Sequence, residues 1–228
     1  MKTYEKLYLE IGYTFHNPAL LKEALTHSSY SNEHGLDYDN QRMEFLGDAV
    51  VQLGVSELLY ERHLAIDEGK LSQMRSALVN KNMLAKKARE MGLSAFIYLG
   101  AGEEQTGGKD KKSNLADCFE AVLGAVYMDG GYDIVRKLVR ELFEKELQNI
   151  SEEEVFINYK SILQEHLQKQ RQSVPKYRVK ETIGAFHEQT FVVELYINGI
   201  LAATAQASSK KEAEKAAAKS ALEAMKIL

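Results

Sequence analysis

Apolar residues recur at three- and four-residue spacing through positions 1–149, with no alternating run of any length, and this predicts helix after helix and no sheet. Asn17 followed by Pro18 is a helix start, since asparagine caps well and proline has no N–H to leave unpaired at the first position; the helix is expected over Ala19–Thr26. A polar loop follows. Apolar-rich segments then run from Asn40 to Arg62 and from Lys70 to Met91, the second closing at Gly92, a residue suited to a left-handed C-terminal cap. The Gly- and charge-rich stretch Gly100–Ser113 predicts an exposed loop. Helix resumes from Asn114 to Asp129, breaks at Gly130-Gly131, and returns over Tyr132–Gln148.

The pattern changes near Ile150–Glu154, where a serine and three glutamates mark an exposed connector rather than core. Beyond it, Tyr159–Arg171 reads as helix, Lys176–Thr182, Gln189–Ile197 and Ile200–Ala205 as strands, and Ser209–Met225 as an alanine-rich helix. Asn198-Gly199 between two apolar runs is a hairpin signal, because both residues tolerate the positive φ of a type I′ turn. The expected organisation is an all-α domain over 1–150, a connector over 151–155, and an α-β-β-β-α domain over 156–228.

The 228 residues are enough for two modest domains, and with 45% hydrophobic and 27% charged residues and two prolines nearly all of the chain is expected to fold. The single Cys118 cannot form an intrachain disulfide, and MKTYEKLYLEIG has no apolar stretch of signal-peptide length, so the expected location is the cytoplasm. No run is long and apolar enough for a membrane helix, so no membrane association is expected. The net charge of −4 divides unevenly: residues 155–228 carry 11 basic against 7 acidic side chains, and the rest 18 against 26. Divided labour and ordinary solvated surface charge both fit that split.

Two acid pairs change the picture. Glu44 and Asp48, in Asn40-Gln41-Arg42-Met43-Glu44-Phe45-Leu46-Gly47-Asp48-Ala49-Val50, lie four apart, and Asp117 and Glu120 lie three apart in a second apolar segment, so each pair shares one helix face. If the two faces converge, the acids repel and raise one another's pKa unless a cation neutralises them, and an all-oxygen donor set suits Mg²⁺ or its substitute Mn²⁺. That is the equipment of phosphodiester hydrolysis. Spacing alone favours the plainer reading of surface acids or salt-bridge partners.

NQRMEFLGDAV closely resembles the signature of the ribonuclease III family, and LADCFEAVLGAVYMDGG resembles that family's second acidic motif. The likeness extends to Leu25-Thr26-His27-Ser28-Ser29-Tyr30 and to Asp67-Glu68-Gly69-Lys70-Leu71-Ser72. It implies a metal-dependent endoribonuclease that cuts double-stranded RNA, with Glu44, Asp117 and Glu120 as direct Mg²⁺ ligands. Asp48 would be an essential acid beside them, orienting water or metal. The resemblance also implies 5′-phosphate and 3′-hydroxyl products with two-nucleotide 3′ overhangs, and roles in ribosomal-precursor, messenger and transfer RNA processing. No small-molecule cofactor is called for. Gln41 departs from a glutamate common in the family, and Glu68 matches a further acid of its RNA-processing centre, although a simple helix-start charge fits as well. Pattern alone assigns Phe45 to the core; the resemblance instead implies that it inserts into a second subunit of a homodimer. His27 and His34 have no second histidine at ligand spacing and read as structural or solvated.

Residues 159–226 resemble the double-stranded-RNA-binding domain. The resemblance puts Ser161, Gln164, Glu165 and Gln168 on one helix face against a minor groove, His187 in a loop probing the next minor groove, and Lys210 and Lys211 on the phosphates between. Ala185 stands where proline is usual, Ala205 and Ala207 where glycines are common, and Ser208 where lysine is frequent. These changes predict weakened phosphate binding. Two rivals remain: a non-catalytic RNA-binding protein, and a phosphohydrolase of small esters, which leaves residues 159–226 unexplained.

Overall fold

A computed structural model describes residues 4–149, 159–184 and 189–228, and the chain divides into two compact units, Met1–Phe156 and Ile157–Leu228. In the first, the helices are α1 (Glu5–Ile11), α2 (Pro18–Ala24), α3 (Ser28–His34), α4 (Gln41–Arg62), α5 (Glu68–Leu78), α6 (Lys81–Glu90), α7 (Ala101–Gln105), α8 (Lys112–Gly130) and α9 (Tyr132–Asn149). Leu115, Cys118, Phe119, Ala121, Val122, Leu123 and Val126 are buried around most of α8. A helix that is apolar on all but one acidic strip must be enclosed, and α2, α4, α6 and α9 pack against it. Phe119 meets Phe143 of α9 edge to face, with centroids 6.3 Å apart.

The local signals hold where a single residue carries them. Asn17 accepts a hydrogen bond from the Ala19 amide at the start of α2, and Gly92, just past α6, takes φ +65°. Three expectations fail. The segment Lys70–Met91 is two helices, because Asn80 turns extended (φ −75°, ψ 158°), accepts from the Met83 amide at 3.0 Å and donates to the Ala77 carbonyl at 2.7 Å. An asparagine side chain that bonds the backbone on both sides competes with a continuing helix. The polar loop after α2 contains α3, capped by His27, whose Nδ1 accepts from the Ser29 amide. The stretch Gly100–Ser113 contains α7, and buried Asn114 ties it down by donating to Glu103 and to the Gly108 carbonyl.

The second unit runs α10 (Tyr159–Lys169), β1 (Lys176–Ile183), β2 (Thr190–Ile197), β3 (Ile200–Ala207) and α11 (Lys210–Ala224). The antiparallel sheet has the order β1-β2-β3. Asn198 (φ +52°) and Gly199 (φ +81°) form the tight turn that pairs Ile197 with Ile200. Buried Val193, Leu195 and Ile197 alternate along β2, and Leu195 and Ile197 join Tyr159, Leu163 and Leu167 of α10 in one core. Ala217, Ala218 and Ala221 complete that core from α11, their short side chains letting the helix lie close to the sheet. The connector 151–155, Ala185 and His187 lie outside the described residues. Among the described residues no helix is long and apolar enough to cross a membrane.

Candidate active site and nucleic-acid interface

Helices α4 and α8 touch backbone to backbone. A Cβ at Gly47 would lie 1.8 Å from the Glu120 carbonyl oxygen, and one at Gly124 would lie 2.5 Å from the Met43 carbonyl oxygen. Only hydrogen fits at either position. The acids sit on the same faces as these glycines, Glu44 three residues before Gly47 and Glu120 four before Gly124, so the close crossing draws the two acidic pairs together.

One carboxylate oxygen from each of Glu44, Asp117 and Glu120 lies within 4.8 Å of the others, and all three residues are half-buried. The cost of that grouping is visible in their acidity. Burial, then the charges of Asp48, Glu44 and Asp117, pushes the Glu120 carboxyl up to about 8, with Lys81 pulling the other way. Burial and Asp117 also raise Glu44. Such a set is poor as three free anions and well suited to a hard cation with oxygen ligands.

Asp48 is exposed and turned along its own helix, where Gln52 Nε2 donates to both carboxylate oxygens at 2.8 and 2.9 Å. It stays near enough for its charge to act on Glu120. Lys81, the first residue of α6, stands 3.7 Å from Asp117. Sequence reasoning passed over Lys81 and the two glycines. The glycines were signalled by their helical spacing from the acids; Lys81 was hidden because the break at Asn80 was not foreseen.

Phe45 is 82% exposed, which corrects the core assignment that pattern alone suggested. The buried side of α4 is set by Met43, Gly47, Val50 and Gly54, and Phe45 falls on the opposite side. Leu53 and Tyr60 are exposed on the same helix at 51% and 72%. Beside Tyr60, between α4 and α5, is a cavity of about 400 Å³ lined also by Ser56, Leu71 and Arg75. Glu68 lines it too, accepting from Ser72 Oγ at 3.0 Å, and is not one of the three grouped acids. Gln41 is exposed at the first residue of α4. His27 caps α3, and His34 stacks on Tyr30 with centroids 3.8 Å apart.

In the second unit Ser161, Gln164, Glu165 and Gln168 are all exposed on one face of α10, opposite buried Tyr159, Leu163 and Leu167. Lys210 and Lys211 are exposed at the start of α11, where Ser209 Oγ accepts from the Glu212 amide. Helix N-terminus and lysines together offer positive charge to an anion.

A family model described as Ribonuclease-III-like matches residues 17–147, and one described as Double-stranded RNA binding motif matches residues 159–225. The chain belongs to the ribonuclease III family. Ribonuclease 3 of Caldanaerobacter subterraneus subsp. tengcongensis is 42% identical over 224 residues, covering 97% of this chain and 98% of the relative. Ribonuclease 3 of Campylobacter curvus is 42% identical over 226 residues, covering 99% of this chain and all of its own length. The solved nuclease domain of ribonuclease III from Campylobacter jejuni is 40% identical, with a TM-score of 0.60, and covers 63% of this chain and 97% of that domain. As a ribonuclease III family member the chain is an endoribonuclease with a double-stranded-RNA-binding domain, and the three-acid cluster falls within its nuclease domain.

Proposed function

We propose that this protein cleaves double-stranded RNA by Mg²⁺-dependent phosphodiester hydrolysis, leaving 5′-phosphate and 3′-hydroxyl ends with two-nucleotide 3′ overhangs. The observation that carries the reading is the approach of Glu44, Asp117 and Glu120 to within 4.8 Å at the glycine crossing. These three would hold the ion, with Mn²⁺ as a substitute. When bound, it would activate the attacking water and stabilise charge building on the phosphate oxygens. Asp48, exposed and held by Gln52, is suited to accept a hydrogen bond from that water and orient it.

The RNA-binding domain would carry the duplex on three zones. The face of Ser161, Gln164, Glu165 and Gln168 suits a minor groove, the loop bearing His187 the next, and Lys210 and Lys211 the phosphates between. The two functions divide at a connector over 151–155, between a nuclease domain over 1–150 and an RNA-binding domain over 156–228. A homodimer fits the chemistry, since a two-fold pair of sites matches the approximate two-fold relation of the strands in a duplex. The exposed Phe45 supports that arrangement, in which the cavity beside Tyr60 would be its receptor on a second copy. A lone buried cysteine suits the reducing cytoplasm, where ribosomal-precursor, messenger and transfer RNAs would be the substrates.

Incubation of a long duplex RNA with the full chain and Mg²⁺ is expected to give staggered fragments, and a chelator to abolish them. Blunt products would refute the cleavage geometry. Binding without any cutting would leave only an RNA-binding scaffold.

A further inference from the structure

The acid cluster has a resident cation. Lys81 Nζ lies 3.7 Å from Asp117 Oδ1, and its charge opposes the upward shift of both Glu44 and Glu120. It therefore lies against Asp117 and close enough for its charge to act on Glu44 and Glu120, while Asp48 adds a fourth negative charge from α4. Its position is fixed by the backbone: the Asn80 cap ends α5 and starts α6, so Lys81 is the first helical residue and emerges beside α8.

Two lysines on the same helix show what a structural ion pair looks like here. Lys87 Nζ lies 2.6 Å from Glu146, with side chains only 4% and 8% exposed, and Lys86 donates to the same carboxylate at 2.7 Å. Those pairs fasten α6 to α9. Lys81 differs from Lys87 in exposure, at 60% against 4%, and from both in contact, since Lys86 is also half exposed but hydrogen-bonds a buried carboxylate, whereas the separation of Lys81 from Asp117 is too long for a direct hydrogen bond. A loose, solvated pair contributes little to stability and is easily exchanged.

We infer that Lys81 is a displaceable counter-ion of the nuclease site: it neutralises the acids before the divalent ion arrives, is displaced from Asp117 by that ion, and then binds the RNA phosphate being cut. The inference rests on the metal-dependent reading above. Lysine suits the second role, as a mobile point charge on a flexible stem that can follow a phosphate.

The test is a Mn²⁺ titration of the metal-free full chain, following the electron paramagnetic resonance of the free ion, for the native protein, Lys81→Met and Lys81→Arg. Lys81→Met is expected to bind Mn²⁺ about three- to tenfold more tightly, because one positive charge no longer opposes the ion. It is also expected to cut duplex RNA more slowly in single turnovers, with Lys81→Arg close to native in both respects. Thermal melting checks the fold, and Lys81→Gln stands in if the methionine variant is unstable. Equal or weaker Mn²⁺ binding by both neutral variants overturns the counter-ion role. Tighter binding with undiminished cleavage overturns the transfer to phosphate. Failure of the native chain to bind Mn²⁺ would instead sink the metal-dependent reading itself.

Discussion

The two units handle charge in opposite ways. The nuclease unit gathers like charges at a backbone-tight helix crossing and half-buries them, so that Glu120 is driven up to about 8. The RNA-binding unit spreads its polar side chains over exposed faces of α10 and the start of α11, with the apolar residues turned to the core behind them. A site that must hold an ion and act on a bond needs desolvated, preorganised charge, and the fold supplies the rigidity to keep it there. A surface that must follow the backbone of a duplex keeps its charges solvated and adjustable.

The largest expected effect comes from removing one of the desolvated acids. Glu120→Gln should lower cleavage by on the order of 10³-fold with RNA affinity unchanged, as measured by single-turnover assay beside gel-shift titration. Loss of both together would mean that Glu120 supports the fold and not the chemistry. Gly47→Ala tests the crossing that assembles the acids. The added methyl group meets the Glu120 carbonyl, so we expect a loss of about 1–3 kcal/mol in urea denaturation and a cleavage rate lower by roughly 10²-fold. A variant as stable and as active as the native chain would show that the close glycine packing is dispensable.

On the other side of the comparison, Lys210→Ala with Lys211→Ala should weaken duplex binding roughly tenfold and flatten the log-log salt dependence by about one unit for each phosphate left unneutralised. The rate at saturating RNA should be unaffected; a fall in that rate would place these lysines in the chemistry. A further effect, of a different kind, is on stability against pH. Between the ordinary glutamate range and about 8, folded Glu120 holds a proton that the unfolded chain has released, so the metal-free protein should lose stability as pH rises through that window. Divalent ion should reverse the trend by binding the ionised cluster. Denaturation at pH 5, 7 and 9, with chelator and with Mg²⁺, reads both slopes, and a metal-free stability that climbs across the window would contradict the raised pKa of Glu120.

Much of this was legible in residue order. The Asn17-Pro18 start, the Gly92 cap and the Asn198-Gly199 turn each depend on one residue's backbone preference and its immediate neighbours, so they can be read without knowing what lies across the core. The pairing of Glu44 with Asp48, and of Asp117 with Glu120, follows from helix geometry in the same way. The order of helices and strands in the second unit followed from the change in hydrophobic period. The break at Asn80 was harder, since its side chain chose between continuing a helix and capping a new one, and two backbone hydrogen bonds decided it.

Chain order alone established which acids share a face and where most elements begin and end, because those are properties of one helix or strand at a time. Tertiary structure decided that Gly47 and Gly124 meet, that three of the four acids close on a common point while Asp48 turns to Gln52, that Lys81 stands beside Asp117, and that Phe45 faces outward. Those outcomes depend on how segments far apart in the chain approach, and the periodicity of a single helix carries no information about the distance to its neighbour.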